Sequence, residues 1–470
     1  MVPHLYQHQS RALSLLQQNP NFGLLMEMGT GKTRVVLEEW RLLDTYNLLV
    51  IAPKSVYRNW EQEMNLFLEK DSFYCAHWSS SKNKYLQIAL KFISVAQDKP
   101  RALLMNVEAL STVKAAKELS EKFLKSGPTI MVVDESTRIR NYSSLRTKCV
   151  IGLGEHAAKR RILSGLITPR SPMDLYSQFY FLNWKILGAR NFYTYRARYA
   201  IMKKMNFGGR NVDIIVGYKN MEDLQSKIQP YSYRVLKEEC LDLPPKIYTE
   251  RSVELSAEQR KAYEELRRKA VTILSDGQFV TSTIAVGLLD RLHQILCGQI
   301  RDDQDRIHDI DASPRDNELF NALDEIEGKT IIWAPYRHTL RRLIFMLKEK
   351  YGETTVVDYW GDTTDDNREI AKQRFQEDPH CRFFVGNPST GGLGITLHAA
   401  KAVIYYANSY DLEHRMQSED RAHRAGLDHP VTYIDLVAKG TIDEKILESL
   451  KLKINLATQI TGEKVREWIR

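Results

Sequence analysis

The chain has 470 residues, 43% hydrophobic and 27% charged, an ordinary globular balance with room for two or three domains with buried cores. Its 67 Lys+Arg against 59 Asp+Glu leave a net charge of +8, a modest basic excess that suits a polyanion-binding surface without demanding one. Cys75, Cys149, Cys240, Cys297 and Cys381 are scattered, with no C-x-x-C pair and no clustered His ligands. That pattern indicates neither a zinc site nor a disulfide framework, and it suits a reducing compartment. No uncharged apolar run reaches the roughly 18–20 residues of a bilayer span, and residues 1–18 lack a basic-then-apolar leader, so a soluble intracellular protein is expected.

In chain order, short apolar runs alternate with helical patterns twice over. The first series is Phe22–Met26, Asn47–Ala52, Arg101–Met105, Thr129–Val133 and Arg161–Leu163. The second is Lys329–Ala334, Thr354–Tyr359, Arg382–Val385, Ala402–Tyr406 and Val431–Val437. Runs this short and apolar, separated by helices, predict buried parallel strands in βαβ units, hence two α/β lobes, each a doubly wound parallel sheet. Between them, the aromatic Tyr176–Tyr199 and the charged Leu255–Asp276 have helical spacing, interrupted by the turn-rich Phe207–Arg210 and by Leu243-Pro244-Pro245. The Pro pair forbids a continuous helix and marks a lobe boundary. Asp302–Asn317 is polar and is expected to be a loop. The expected division is 1–236 for the first lobe with a helical protrusion, 237–310 for a connector and helical segment, and 311–470 for the second lobe.

Three motifs carry chemistry. Gly29-Thr30-Gly31-Lys32-Thr33 follows the strand Phe22–Met26 and opens a helical pattern. Phosphates need closely approaching backbone N–H groups, a helix N-terminus, a cation and a hydroxyl for Mg²⁺, which here are the glycines, Lys32 and Thr33. Met26 stands where the full phosphate-loop pattern has its first Gly. Asp134-Glu135 closes the strand Thr129–Val133; paired carboxylates there suit Mg²⁺ (Asp134) and water activation (Glu135). Alone, such a pair is more often a helix cap, but about 100 residues after a phosphate loop it reads as the Walker B element. In Gln417-Ser418-Glu419-Asp420-Arg421-Ala422-His423-Arg424, Arg421 and Arg424 are three apart and would share one helix face, as phosphate-directed arginines do. Without the other motifs, a solvated charged helix would be the better reading.

In this order the three motifs resemble helicase superfamily 2, and nearly the whole chain resembles the Swi/Snf-type DNA-dependent ATPase core, with RecA-like lobes. Leu5-x-x-His8-Gln9 is similar to the adenine-reading Q motif, and Gly23–Met28 leads into the phosphate loop as in the family. Ala52-Pro53-Lys54-Ser55 with Asn59-Trp60-x-x-Glu63 resembles motif Ia, and Leu163-Ser164-Gly165 the start of motif III. Tyr233-Arg234-Val235-Leu236-Lys237-Glu238-Glu239 with Leu241–Lys246 is the most family-specific stretch. Arg291–Leu296, then Gly361, Arg368 and Phe375, follow it. Gly391–Leu397 resembles motif V, Gln417–Gly426 the arginine motif, and Gly440–Lys445 closes the match. The resemblance implies ATP and Mg²⁺ as cofactors. It assigns Gln9, Gly29, Thr30, Gly31, Lys32 and Thr33 to the nucleotide, Thr33 and Asp134 to the metal, and Glu135, Gln417, Arg421 and Arg424 to catalysis.

The resemblance also implies DNA, read through its backbone and not its sequence, with Lys54, Ser55, Asn106, Ser389, Thr390 and Gly391 as contacts. Small hydroxyl residues and loop N–H groups suit phosphates and carry no base code. The aromatic run Trp184–Tyr199 could stack bases, although its helical spacing favours core. A translocase on double-stranded DNA is the expected function, with a strand-separating helicase or an ATP-gated binding switch as alternatives. A monomer of bacterial or viral kind is implied, in the cytoplasm (a host's, if viral), with no membrane and any protein partner unidentified. Three departures bear on coupling. Ser136-Thr137 stand where the family has Ala-His or Gly-His after the acidic pair, Leu166-Ile167 where motif III has Thr-Pro, and Ser389 and Thr396 alter motif V.

Overall fold

A computed structural model of the chain describes residues 4–80, 84, 88, 99–207, 210–275, 282–302, 304, 306–389, 395–424 and 426–461. The chain divides into two compact units. The first comprises Met1–Ile201, Gly217–Asp242 and Asn455–Val465, and the second Met202–Val216, Leu243–Ile454 and Arg466–Arg470.

In the first unit the strands are β1 (Asn21–Met26), β2 (Asn47–Ala52), β3 (Tyr74–His77), β4 (Arg101–Asn106), β5 (Thr129–Asp134) and β6 (Lys159–Leu163). After a two-stranded ribbon of β7 (Ala200–Phe207) and β8 (Arg210–Tyr218), β9 (Ser232–Val235) completes a seven-stranded sheet in the order β3-β4-β2-β5-β6-β1-β9. Every pairing in that sheet is parallel. All six residues of β2 are buried, which is why that run is apolar without alternation.

The fully buried Arg161 of β6 organises one side of this sheet. It donates from Nε to Glu39 Oε2 at 2.9 Å and from Nη2 to Glu39 Oε1 at 2.6 Å. It also caps the carbonyls of Leu16, Asn19 and Pro20. Such a pair is tolerable away from water only because its donors meet acceptors. Here it joins the helices Gln7–Gln18 and Lys32–Leu42, which flank the phosphate-loop segment, to the strand between β5 and β1.

The second unit, which takes in most of β7 and β8, holds β10 (Lys246–Val253) and a small sheet of β11 (Gln299–Arg301) and β12 (Ile307–Asp309). Its main sheet adds β13 (Lys329–Trp333), β14 (Val356–Tyr359), β15 (Phe383–Gly386), β16 (Ala400–Tyr405) and β17 (Val431–Ala438). The order is β10-β17-β16-β13-β15-β14, all parallel. The direction of winding reverses between β13 and β16, the kind of switch point where α/β sheets open a crevice. Apolar residues pack on both faces of β13, around Ile332 on one and Ile331 and Trp333 on the other.

The structure therefore has the two parallel α/β lobes expected from the sequence, with all ten predicted strands present within a few residues. Two expectations are corrected. The helical reading of the middle segment fails at β7 (Ala200–Phe207) and β8 (Arg210–Tyr218), which pair as a two-stranded sheet. The Asp302–Asn317 loop is interrupted by β12 (Ile307–Asp309) and ends early, because Ser313–Glu325 is a helix with Pro314 in its first turn. Among the described residues no helix is long and apolar enough to cross a membrane.

Candidate functional site

Because β1 and β5 lie in one parallel sheet with β6 between them, their C-terminal ends open on the same edge. The chain leaving β1 turns through Gly29 (φ 84°) and Gly31 (φ 86°), the left-handed region that favours glycine. A Cβ at Gly31 would also lie 2.2 Å from Gln9 Nε2, so the loop is packed against the first helix. Gln9 Nε2 and His8 Nε2 both reach the Thr30 carbonyl, at 3.2 and 2.9 Å, while Gln9 Oε1 accepts from the Tyr6 N–H at 3.1 Å. Gln9 thus braces the loop from behind. Thr30 Oγ1 closes the turn on the Glu27 carbonyl at 2.8 Å.

Lys32 opens the helix Lys32–Leu42, and its ammonium lies inside the loop, donating to the Met26 and Glu27 carbonyls at 2.7 and 3.1 Å. Thr33 is half-buried in the first turn. At the end of β5, Asp134 accepts from Trp60 Nε1 at 2.8 Å and from the Glu135 N–H at 2.9 Å. Burial pushes the Asp134 carboxyl above the usual carboxylate range, against the pull of the Trp60 bond, the Lys32 charge and the Glu135 N–H. Lys32 and Asp134 are therefore within electrostatic reach of each other. Glu135 is left-handed, φ 48° and ψ 59°, a conformation that costs a non-glycine residue about 1–3 kcal/mol and persists where surroundings over-determine it.

These residues fit a magnesium nucleotide. The loop offers backbone N–H groups at a helix start, one ammonium and one hydroxyl, with a carboxylate facing them. Among the described residues no group of three or more His, Cys, Asp or Glu could hold a metal by itself. Mg²⁺ would therefore be held by Thr33, Asp134 and oxygens that the nucleotide and water bring, its usual habit.

Motif III lies beside the loop. Gly165 lies against Met28, where a Cβ would make ordinary contact with Met28 N at 3.4 Å. Arg234 of β9 donates to the carbonyls of Leu25 and Gly165, both at 2.9 Å, and the Lys237 N–H donates to Glu27 Oε2 at 2.8 Å. Part of the family-specific stretch 233–239 thus pins the strand that carries the phosphate loop. Ser136 and Gln178, absent from the sequence reading as site residues, connect the acidic pair to motif III. Thr168-Pro169 places the dipeptide missing at 166–167 two positions later, and the Thr168 hydroxyl is buried with no partner among the described residues.

In the second unit the arginine motif begins on the helix Leu412–Ala422, N-capped by Asp411. The expectation that Arg421 and Arg424 share a helical face is corrected: the helix ends at Ala422, and Arg424 lies beyond it. The two meet instead on one carbonyl. Arg421, 1% exposed, donates from Nη1 to Ile395 O at 3.1 Å. Arg424, half-buried, donates to Thr396 Oγ1 at 2.6 Å and to Ile395 O at 3.4 Å. Thr396, a departure from the family's Asn, thus receives an arginine. Gln417 is buried, its Nε2 3.4 Å from Glu413 Oε1. Burial alone would raise the Glu419 carboxyl, but the charges of Lys246 and Arg415 and the bonds from Arg415 and Tyr248 hold it below the usual range. His423 Nε2 donates to Pro244 O at 2.7 Å, so the Pro244–Lys246 stretch is docked on the arginine motif.

Of the residues assigned to DNA, Lys54 and Ser55 are exposed in the turn after β2. Asn106 ends the neighbouring β4, where Ala52 and Asn106 are in register, and its Oδ1 accepts from the Glu108 N–H at 2.6 Å. These three therefore share the sheet edge that carries the loop. Ser389 belongs to the second unit, where its N–H and hydroxyl both donate to Asn387 Oδ1. Thr390 and Gly391 lie outside the described residues. In the aromatic run, Tyr195 and Tyr199 are core, and Tyr193 is exposed.

Residues 6–305 match the SNF2-related domain family, and residues 316–426 the helicase conserved C-terminal domain. The chain belongs to the SNF2-related family. Its two matched segments are the paired domains of a superfamily 2 ATPase. An uncharacterized ATP-dependent helicase of Mycoplasma genitalium is 25% identical over 96% of this chain and 41% of its own length. The Zorya protein ZorD of Escherichia coli is 26% identical over 90% and 41%. The probable ATP-dependent DNA helicase CHR23 of Arabidopsis thaliana is 28% identical over 95% and 42%. The chain spans about two fifths of the length of these curated relatives. A solved Sulfolobus solfataricus SWI2/SNF2 ATPase core in complex with dsDNA is 22% identical, with 98% of this chain and 95% of that one covered and a TM-score of 0.43.

Proposed function

We propose that the chain is a motor that hydrolyses ATP to translocate on double-stranded DNA, remodelling DNA or protein–DNA complexes. The observation that carries this is the nucleotide constellation of an SNF2-related chain at one sheet edge: the Gly29–Thr33 loop, Lys32 within electrostatic reach of Asp134, and Glu135 directly after it. Bound Mg²⁺ neutralises phosphate charge and orients the γ-phosphoryl group. Lys32 and Thr33 hold the phosphates and the metal's environment, Gln9 sets the loop, Asp134 faces the metal, and Glu135 takes the proton of the attacking water. In the second unit, Arg421, Arg424 and Gln417 are the residues assigned to turnover, Arg424 being the better suited because it is half-buried. Lys54, Ser55, Asn106, Ser389, Thr390 and Gly391 grip the DNA backbone. The helicase names of the relatives support a nucleic-acid motor.

ATPase assays test this reading. Duplex DNA is expected to stimulate hydrolysis at least as well as single strands, with stimulation rising with duplex length before levelling off. A motor on a longer track spends more of its time stepping, whereas a static switch responds only to local structure. A rate indifferent to DNA would remove the motor.

One observation favours strand separation as a second reading. The β7–β8 ribbon exposes Ile201, Val212, Ile215 and Val216 together with Lys203 and Lys204. An exposed apolar ribbon with basic residues has the chemistry of a wedge against stacked bases and phosphates. Fork unwinding decides between the two.

A further inference from the structure

Glu135 holds a left-handed backbone, and something must keep it there. The residue after it, Ser136, is fully buried and donates from Oγ to Gln178 Oε1 at 2.6 Å. Gln178, also fully buried, donates from Nε2 to the Ile167 carbonyl at 2.8 Å and to the Asp174 carbonyl at 2.9 Å. Both amide donors and the amide oxygen are thereby engaged, which fixes the side-chain rotamer and the orientation of the amide. Its neighbour on the helix Leu175–Asn183, Ser177, donates to the Arg140 carbonyl at 3.3 Å. The helix thus grips both ends of the turn that follows Glu135. On its other side it holds Ile167, the residue before the buried Thr168.

A buried glutamine is costly unless its bonds are made, and an apolar residue of the same shape would cost less. What an apolar residue cannot do is join two backbone segments by directional bonds. The two joined here are the acidic motif, which lacks the family's His, and motif III, whose Thr-Pro is displaced to Thr168-Pro169.

We propose that Gln178 is a positioning residue for Glu135: through Ser136 it fixes the turn that aims the Glu135 carboxylate, and through Ile167 it makes that aim depend on motif III. The inference rests on the ATPase reading above. Gln178 is fully buried and its amide is engaged by Ser136, Ile167 and Asp174, so its loss should spare ATP binding and slow turnover.

The test uses Gln178→Met, which keeps length and volume and removes all three bonds, and Ser136→Ala, which removes only the 2.6 Å bond. For Gln178→Met, kcat with duplex DNA should fall about tenfold or more while KM for ATP stays within about twofold, the signature of an interaction realised in the transition state. Ser136→Ala should lower kcat in the same sense, and the double variant should fall no further than Gln178→Met, since both act along one link. If Gln178→Met does not fold, Ser136→Ala decides alone, because it leaves both donor bonds of Gln178 in place. Full kcat in Ser136→Ala, losses that multiply in the double variant, or a matched loss of ATP affinity would overturn the link. A wild-type chain that hydrolyses no ATP would overturn the ATPase reading and this inference with it. Wild-type hydrolysis kept in full by both variants would overturn this inference alone.

Discussion

Glu135→Gln is expected to bind ATP within about twofold of wild type and to hydrolyse it about 10²–10⁴-fold more slowly, the usual worth of a general base. The substitution keeps shape and removes only the capacity to accept a proton from water. Asp134, half-buried beside it and bonded to Trp60 Nε1 at 2.8 Å, is held in place by other groups, so nucleotide and metal binding should survive. Lys32→Ala should fail differently. The ammonium is the loop's own cation, and its removal should cost binding as well as turnover. Steady-state kinetics with a nucleotide-binding titration separates the two. Hydrolysis by Glu135→Gln within about threefold of wild type would remove it as the base.

Arg424→Ala should lower turnover by about a hundredfold or more with little change in thermal midpoint, as for an arginine whose partner is a transferring phosphoryl group. Its half-buried guanidinium bonds Thr396 Oγ1 at 2.6 Å, a hydroxyl that can turn to water when the arginine is gone. Arg421→Ala should be distinguishable. That side chain is buried, and deleting it opens a cavity and leaves the Ile395 carbonyl only the longer 3.4 Å bond from Arg424, so the thermal midpoint should fall. Thermal melts beside turnover numbers make the comparison. An Arg424→Ala protein that melts early yet keeps its rate would make Arg424 structural.

What could be read from the sequence follows the physics of burial. Inner strands such as Asn47–Ala52 and Thr129–Asp134 are covered on both faces, so they announce themselves as unbroken apolar runs. The strands that escaped notice in the two main sheets, Tyr74–His77, Ser232–Val235 and Lys246–Val253, all lie at sheet edges and are partly exposed, so their residues are mixed. The ribbon of β7 and β8 exposes Ile201, Val212, Ile215 and Val216, so its apolar residues did not mark it as a core strand pair.

At the site, the motif that folds locally was readable, because Gly29 and Gly31 serve a backbone need that their type declares. Gln178 was not. It is a polar residue inside an aromatic helix, and its meaning comes from Ser136 and Ile167, which only the fold brings to it. The arginine motif lies between these cases. Its residues could be named, but the helix end at Ala422 and the different burial of Arg421 and Arg424 depend on tertiary packing.

Translocation on an intact duplex is tested most directly by third-strand displacement, set beside a forked duplex of the same sequence. With hydrolysable ATP, the chain is expected to strip the third strand from a triplex flanked by duplex, to do nothing with a non-hydrolysable analogue, and to leave the fork mostly annealed. Efficient ATP-dependent separation of the fork without triplex displacement would contradict the account and make the protein a strand-separating helicase.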